Sequence, residues 1–169
     1  MKSMNACVVL TVLAPDRPGI VKSLSETVAA HDGNWLESRM ARLAGHFAGI
    51  LRVECPDSRA DDLIKALESI EGVSIQATRE DPFEAREVEL LKLEVVGNDR
   101  PGIVRALSAS IAATGANLEE LQTTLESAPM AGHPIFHARG TVALPDGLAP
   151  DVLITAIEDL GADLSVTVE

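Results

Sequence analysis

Two short runs in this 169-residue chain could do chemistry, and they are copies of each other. Asp16-Arg17-Pro18-Gly19-Ile20-Val21 recurs 83 residues later as Asp99-Arg100-Pro101-Gly102-Ile103-Val104, preceded by Asn98. Each run follows an apolar stretch and leads into apolar residues at helical spacing, so each reads as a strand-to-helix turn. In such a turn Asp is a good N-cap, and proline suits the first helical turn because it lacks an N–H and has the right φ. Glycine has no Cβ, so another group can approach the backbone. The first-turn N–H groups have no partner inside the helix and, with the helix dipole, attract a carboxylate or other anion. Asn34 and Asn117, related by the same offset, stand where the next strand begins. An amide accepts a bond from an ammonium and donates one to a carboxylate, and a free amino acid presents those two groups. Capping and local backbone satisfaction would also account for both features.

Other chemistry has less support. No G-x-x-x-x-G-K, G-x-S-x-G or H-E-x-x-H run occurs, and the acidic residues fall mostly on expected helix exteriors, where solvation explains them. The reading is a non-enzyme with no cofactor and no metal. His133 and His137 are four residues apart on an expected hairpin, about 13 Å in an extended chain, too far for one ion. His31 falls near a helix C-terminus, where positive charge is favourable. Cys7 and Cys55 are too few for a disulfide framework or a zinc site. They are expected near each other on paired strands, on opposite faces.

Composition narrows the partners. The formal net charge of −12 repels a phosphate backbone and anionic membranes alike. The apolar run near the N-terminus, ending about Leu13, is too short to span a bilayer, and the residues that follow suit a strand and turn better than a signal peptide. The expected setting is the cytoplasm. Apolar residues reach 46% but aromatics only 2%, so the core must be built from Val, Leu, Ile and Ala.

The repeat extends well beyond the turns. Val8, Leu10 and Val12 match Leu91, Leu93 and Val95; Leu24 matches Leu107 and Val28 matches Ile111. Pro56-Asp57 matches Pro145-Asp146, so the second copy has about six extra residues before that point. In the first copy strands are expected over residues 6–13, 35–43, 47–54 and 73–79. One helix carries Ile20, Val21, Leu24 and Val28, and another Leu63, Ile64, Leu67 and Ile70. In the second, strands are expected over residues 88–96, 118–125, 135–144 and 163–168. Its helices carry Ile103, Val104, Leu107 and Ile111, and Leu153, Ile154, Ile157 and Leu160. The order β-α-β-β-α-β, twice, predicts an α+β fold of two ferredoxin-like domains, residues 1–82 and 83–169, each an antiparallel four-stranded sheet with both helices on one face. The charged segment 79–87 reads as the linker. The longer second hairpin, through residues 128–134, suits a lid or partner contact, and Trp35 either closes a pocket or belongs to the core. If Val8, Leu10 and Val12 face the helices, then Cys7, Val9, Thr11 and Leu13 form a more apolar back than Leu90, Lys92, Glu94 and Val96, suiting contact with a second copy.

A strand, then D-R-P-G-I-V, a helix, and a Gly/Ala-Asn pair opening the second strand resemble the ACT domain, twice over nearly the whole chain. That resemblance implies small-molecule sites, often for amino acids, near the loop after the first strand and usually at a domain–domain interface. Here the implied ligand-binding residues are Asp16, Arg17, Pro18, Gly19, Ile20, Val21 and Asn34, and Asn98, Asp99, Arg100, Pro101, Gly102, Ile103, Val104 and Asn117. Paired domains of this kind resemble a transcriptional-repressor subgroup. This implies a small amino acid ligand, glycine or serine-like, and action through a protein partner such as a transcription factor. A homodimer is expected, without direct nucleic-acid contact. A ligand-free scaffold and a small amino-acid-metabolising enzyme are the alternatives.

Overall fold

The computed structural model describes residues 4–80, 87–130 and 132–169. It divides into two compact units, Met1–Glu84 and Ala85–Glu169. The first runs β1 (Asn5–Pro15), α1 (Ile20–Ala30), β2 (Asn34–Leu43), β3 (His46–Pro56), a 3-10 turn (Asp57–Arg59), α2 (Ala60–Glu68) and β4 (Ser74–Arg79). The second runs β5 (Glu89–Asn98), α3 (Ile103–Ala113), β6 (Asn117–Ser127), β7 (Pro134–Leu144), α4 (Pro150–Glu158) and β8 (Ser165–Val168). The sheets have strand orders β2-β3-β1-β4 and β6-β7-β5-β8, antiparallel throughout. This is the expected ferredoxin-like pattern, made twice.

Alternation along β1 fixes its two faces. Val8, Leu10, Val12 and Ala14 are buried, while Thr11 and Leu13 between them are exposed. Period-two alternation on a strand and a stripe at helical spacing on α1 turn those faces toward each other. Ile20, Leu24 and Val28 of α1 and Leu63 and Leu67 of α2 close over the buried strand residues and Leu51, Val53 and Cys55 of β3. The second core repeats the scheme with Leu91, Leu93 and Val95 beneath Ile103, Leu107, Ile111, Leu153 and Ile157. Val21 and Val104, expected on the apolar stripes, are exposed instead, because one face of an eleven-residue helix is filled by the residues at i, i+4 and i+8.

The far face of each sheet carries no helix of its own unit. On the first sheet it presents Val9, Leu13, Ala48 and Ile50, with Leu13 and Ile50 more than half exposed. On the second it presents Lys92, Glu94, His137 and Arg139. There Glu94 lies 3.4 Å from Arg139, and His137 stands between Glu94 at 3.7 Å and Glu126 at 3.4 Å. The first sheet's far face is thus the more apolar along the central strands, as expected.

Of the linker expected at 79–87, Arg79 belongs to β4 and Glu80 holds Arg52 at 2.7 Å, so both are part of the first unit. Residues 81–86 lie outside the described residues, as does Ala131 in the second hairpin. Trp35 packs against the first core and its Nε1–H donates to Ser38 Oγ. Cys55 faces the core and Cys7 the far face, the register setting Cys55 opposite Ala6 and Cys7 opposite Glu54. No helix among the described residues is long and apolar enough to cross a membrane.

Leu24 is fully buried whereas Leu13 is 52% exposed. Leu24→Ala is therefore expected to lower unfolding free energy by about 2–5 kcal/mol, and Leu13→Ala by about 0.5 kcal/mol or less, in urea denaturation of the two variants.

Candidate functional site

Each turn leaves the end of a central strand and enters a helix through a left-handed glycine. Gly19 has φ 89° and Gly102 has φ 81°; they are the N-caps of α1 and α3. This corrects the expected capping scheme. Asp16 and Asp99 do not cap, and Pro18 and Pro101 precede the helices. The reason is the left-handed step itself, which delays the helix and makes the glycine carbonyl its first acceptor, from Ser23 and Ala106 at 2.9 Å. The glycine is needed for its positive φ, which costs a residue with a Cβ roughly 1–2 kcal/mol. It is not needed for close contact within the unit, since a Cβ at either position would meet nothing within 4 Å. The approach to each turn is open. Among the described residues the N–H groups of Ile20, Val21 and Lys22, and of Val104 and Arg105, find no acceptor.

The aspartates hold the turn by their backbone. The Asp16 N–H donates to the Gly45 carbonyl at 2.9 Å and the Asp99 N–H to the Pro134 carbonyl at 3.1 Å. Their side chains differ. Asp16 pairs with Arg42 at 3.2 Å, while the Asp99 carboxylate has no partner among the described residues.

The arginines reach across to the segment after the second helix of their own unit, Arg17 at the exposed surface and Arg100 half-buried. Arg17 donates to the Glu71 carbonyl at 2.7 Å, and Arg100 to the Leu160 carbonyl at 3.1 Å. Each carbonyl lies just past the end of the unit's second helix, where the helix dipole favours a cation. Both guanidiniums are thus clamps that tie the turn to the neighbouring helix. The second turn has one further tie. Asp163 accepts the Asn98 N–H at 2.9 Å and lies 3.5 Å from Arg100. The Asn98 N–H, then Asp163's own N–H, and then Arg100 hold its carboxyl below the usual carboxylate range.

Asn34 and Asn117 do begin β2 and β6, but not beside their own turns. Asn34 is opposite Glu54 and Asn117 opposite Ala143, whereas the turns follow Pro15, opposite His46, and Asn98, opposite Ile135. Eight strand residues separate the two levels, about 27 Å. The geometric reason is that β2 and β6 run parallel to the central strands and so start at the same end as those strands do, away from the turns that follow them. The turn residues come together as expected; the asparagines do not join them within a unit.

Arg42, the Glu71 and Leu160 carbonyls and Asp163 are participants that sequence reasoning missed. None of them left a signal in the sequence; the counterpart of Asp163 in the first unit emerges only through strand register. Two shallow concavities lie elsewhere, on the far sheet faces. One of about 480 Å³ is lined by Lys92, Glu94, Glu120, Gln122, Arg139 and Thr141, and one of about 340 Å³ by Val9, Glu37, Arg39, Ile50 and Arg52. Neither touches a turn. No group of His, Cys, Asp or Glu among the described residues could hold a metal ion.

Two measurements check this geometry. Gly102→Ala is expected to cost about 1–2 kcal/mol of stability through strain alone. Because Asp163's folded value is depressed, its stabilisation is present above 3.8, the ordinary value, and is lost as pH falls below it. Acid titration of stability should therefore show a shallower low-pH limb in Asp163→Asn than in the parent protein.

Comparison with known proteins fits this architecture. A family model for the ACT domain matches residues 6–76. A crystal structure of an unknown protein from Galdieria sulphuraria is 32% identical with a TM-score of 0.86, covering 98% of each chain. A solved structure provisionally described as a glycine cleavage system transcriptional repressor is 17% identical with a TM-score of 0.70, covering 99% of each chain. No curated protein matches significantly. With the βαββαβ unit made twice and the family model met by the first of them, the chain belongs to the ACT domain family, as a tandem of two ACT-like units.

Proposed function

We propose that the chain is a regulatory protein that senses a small amino acid, glycine or serine-like, at the turns of its ACT units. It passes that state to a protein partner such as a transcription factor. The observation that carries this is the duplicated turn, residues 16–21 and 98–104, with its left-handed glycine, open approach and unpaired helix N–H groups. A carboxylate matches those donors in charge and hydrogen bonding. The architecture shared with the protein described as a glycine cleavage repressor supports transcription as the regulated process. The net charge of −12 supports a protein over DNA as the object of contact, and the setting that suits such a role is the cytoplasm.

The strand geometry adds a condition. An amino acid that touches both a turn and an asparagine cannot be held by one unit alone, since one unit sets them about 27 Å apart. β6 is suited to pairing with a second copy of the chain. It is an eleven-residue edge strand without Lys, Arg or Pro, and exposes Leu121 and Leu125. Long exposed edges pair with further strands. Antiparallel pairing centred on Thr123 sets Leu121 opposite Leu125 and carries Asn117 toward the end of the second copy where its turn lies. The same register faces Glu120 with Glu126, a repulsion that salt screens.

A ligand-free scaffold is the second reading, favoured by the Arg17 and Arg100 clamps, which hold the turns without any ligand. Calorimetric titration with glycine and serine, with thermal shift and sedimentation, separates the two. The sensor reading expects saturable binding that Asn117→Ala abolishes with the fold intact, and stabilisation of about 2.7 kcal/mol at a hundredfold excess over Kd. Absence of heat and shift with either amino acid at millimolar concentration would favour the scaffold.

A further inference from the structure

We infer that the two turns are not equivalent, and that Asp163 is the positioning residue that makes the second turn the one competent to bind an amino acid. This rests on the amino-acid-sensing reading above.

The tie at the second turn has three members. Asp163 Oδ2 accepts the Asn98 N–H at 2.9 Å, Oδ1 lies 3.5 Å from Arg100, and Arg100 reaches the Leu160 carbonyl at 3.1 Å. One carboxylate thereby joins the end of β5, where the turn begins, to the guanidinium that anchors the turn to the segment after α4. The path into the turn is fixed from both sides.

The first unit lacks both halves of this tie. Sheet register identifies the counterparts: Ser74 is opposite Leu13 as Ser165 is opposite Val96. Two residues before each serine stand Gly72 and Asp163, and two residues after each facing strand residue stand Pro15 and Asn98. Proline has no N–H to donate, and glycine has no carboxylate to accept it. Arg17 occupies the space instead: a Cβ on Gly72 would lie 3.1 Å from its Nη2. Arg17 is left with one carbonyl partner.

The aspartates of the motif divide in the same direction. Arg42 neutralises Asp16 at 3.2 Å, whereas Asp99 keeps its carboxylate uncommitted among the described residues. The second turn thus offers an anion for a ligand's ammonium and the Val104 and Arg105 N–H groups for its carboxylate. The ligand class is a small zwitterionic α-amino acid. The first turn offers the N–H groups without the free anion.

The test is calorimetric titration of the full chain with glycine and with serine, reading stoichiometry and affinity. Wild type should bind one amino acid per chain. Asp163→Ala should weaken binding by about tenfold or more, the scale of a lost hydrogen bond to a charged group. Asp163→Asn keeps an acceptor for the Asn98 N–H and should restore most of the affinity. Asn98→Pro, which removes the backbone donor together with the amide side chain and reproduces the residue of the first unit, should weaken binding as Asp163→Ala does, while Asn98→Ala, which removes the side chain alone, should weaken it less. Two equal sites per chain, or unchanged affinity in both Asp163→Ala and Asn98→Pro, would overturn the inference while leaving amino-acid sensing intact. No binding to wild type would overturn both.

Discussion

A guanidinium reaching a carbonyl past the end of a helix holds each turn in place, and much of the site's geometry follows from it. Arg17 and Arg100 leave their turns and donate to Glu71 and Leu160. The bond is charge-assisted and lies at the negative end of a helix dipole, so it is stronger than a neutral one. From the turn so anchored, the chain enters the helix through a left-handed glycine. That step leaves the N–H groups of Ile20, Val21 and Lys22 in α1, and of Val104 and Arg105 in α3, without an acceptor among the described residues. The arginine of the motif therefore acts in the framework, and the donors for a ligand are backbone.

The two units share this framework but differ in how tightly it is completed. Pro15 and Gly72 stand where the second unit has Asn98 and Asp163, and those substitutions belong together, because donor and acceptor are useful only as a pair. The far sheet faces have diverged as well, with Val9 and Ile50 on one and Lys92 and Arg139 on the other. A duplicated fold in which one copy keeps a complete turn and the other presents a more apolar surface is consistent with a division between ligand binding and contact with another protein.

Most of the fold was legible in the sequence. The alternation of Val8, Leu10 and Val12, the helical stripes and the doubled D-R-P-G run lead to two βαββαβ units without further information. The capping detail was not legible, because Asp-Arg-Pro-Gly satisfies the preferences of an N-cap at Asp as well as those of a left-handed glycine; only backbone dihedrals separate them. The separation of Asn34 and Asn117 from their turns follows from topology. A residue that opens the second strand lies at the far end from the first loop in any β-α-β-β unit, so local spacing gave the wrong impression of closeness. Asp163 was hidden for another reason: the offset between repeats changes along the chain, and its counterpart Gly72 is found only through strand register.

In the proposed sensor an amino-acid carboxylate docks on the first-turn N–H groups of an ACT unit. A titration of uniformly ¹⁵N-labelled protein with glycine, following amide resonances by NMR, tests it most directly. Docking at the second turn predicts saturable shifts at Val104 and Arg105, with the sheet interiors unmoved. Shifts confined to the far sheet faces around Lys92 and Arg139, or no shifts at all, would contradict it.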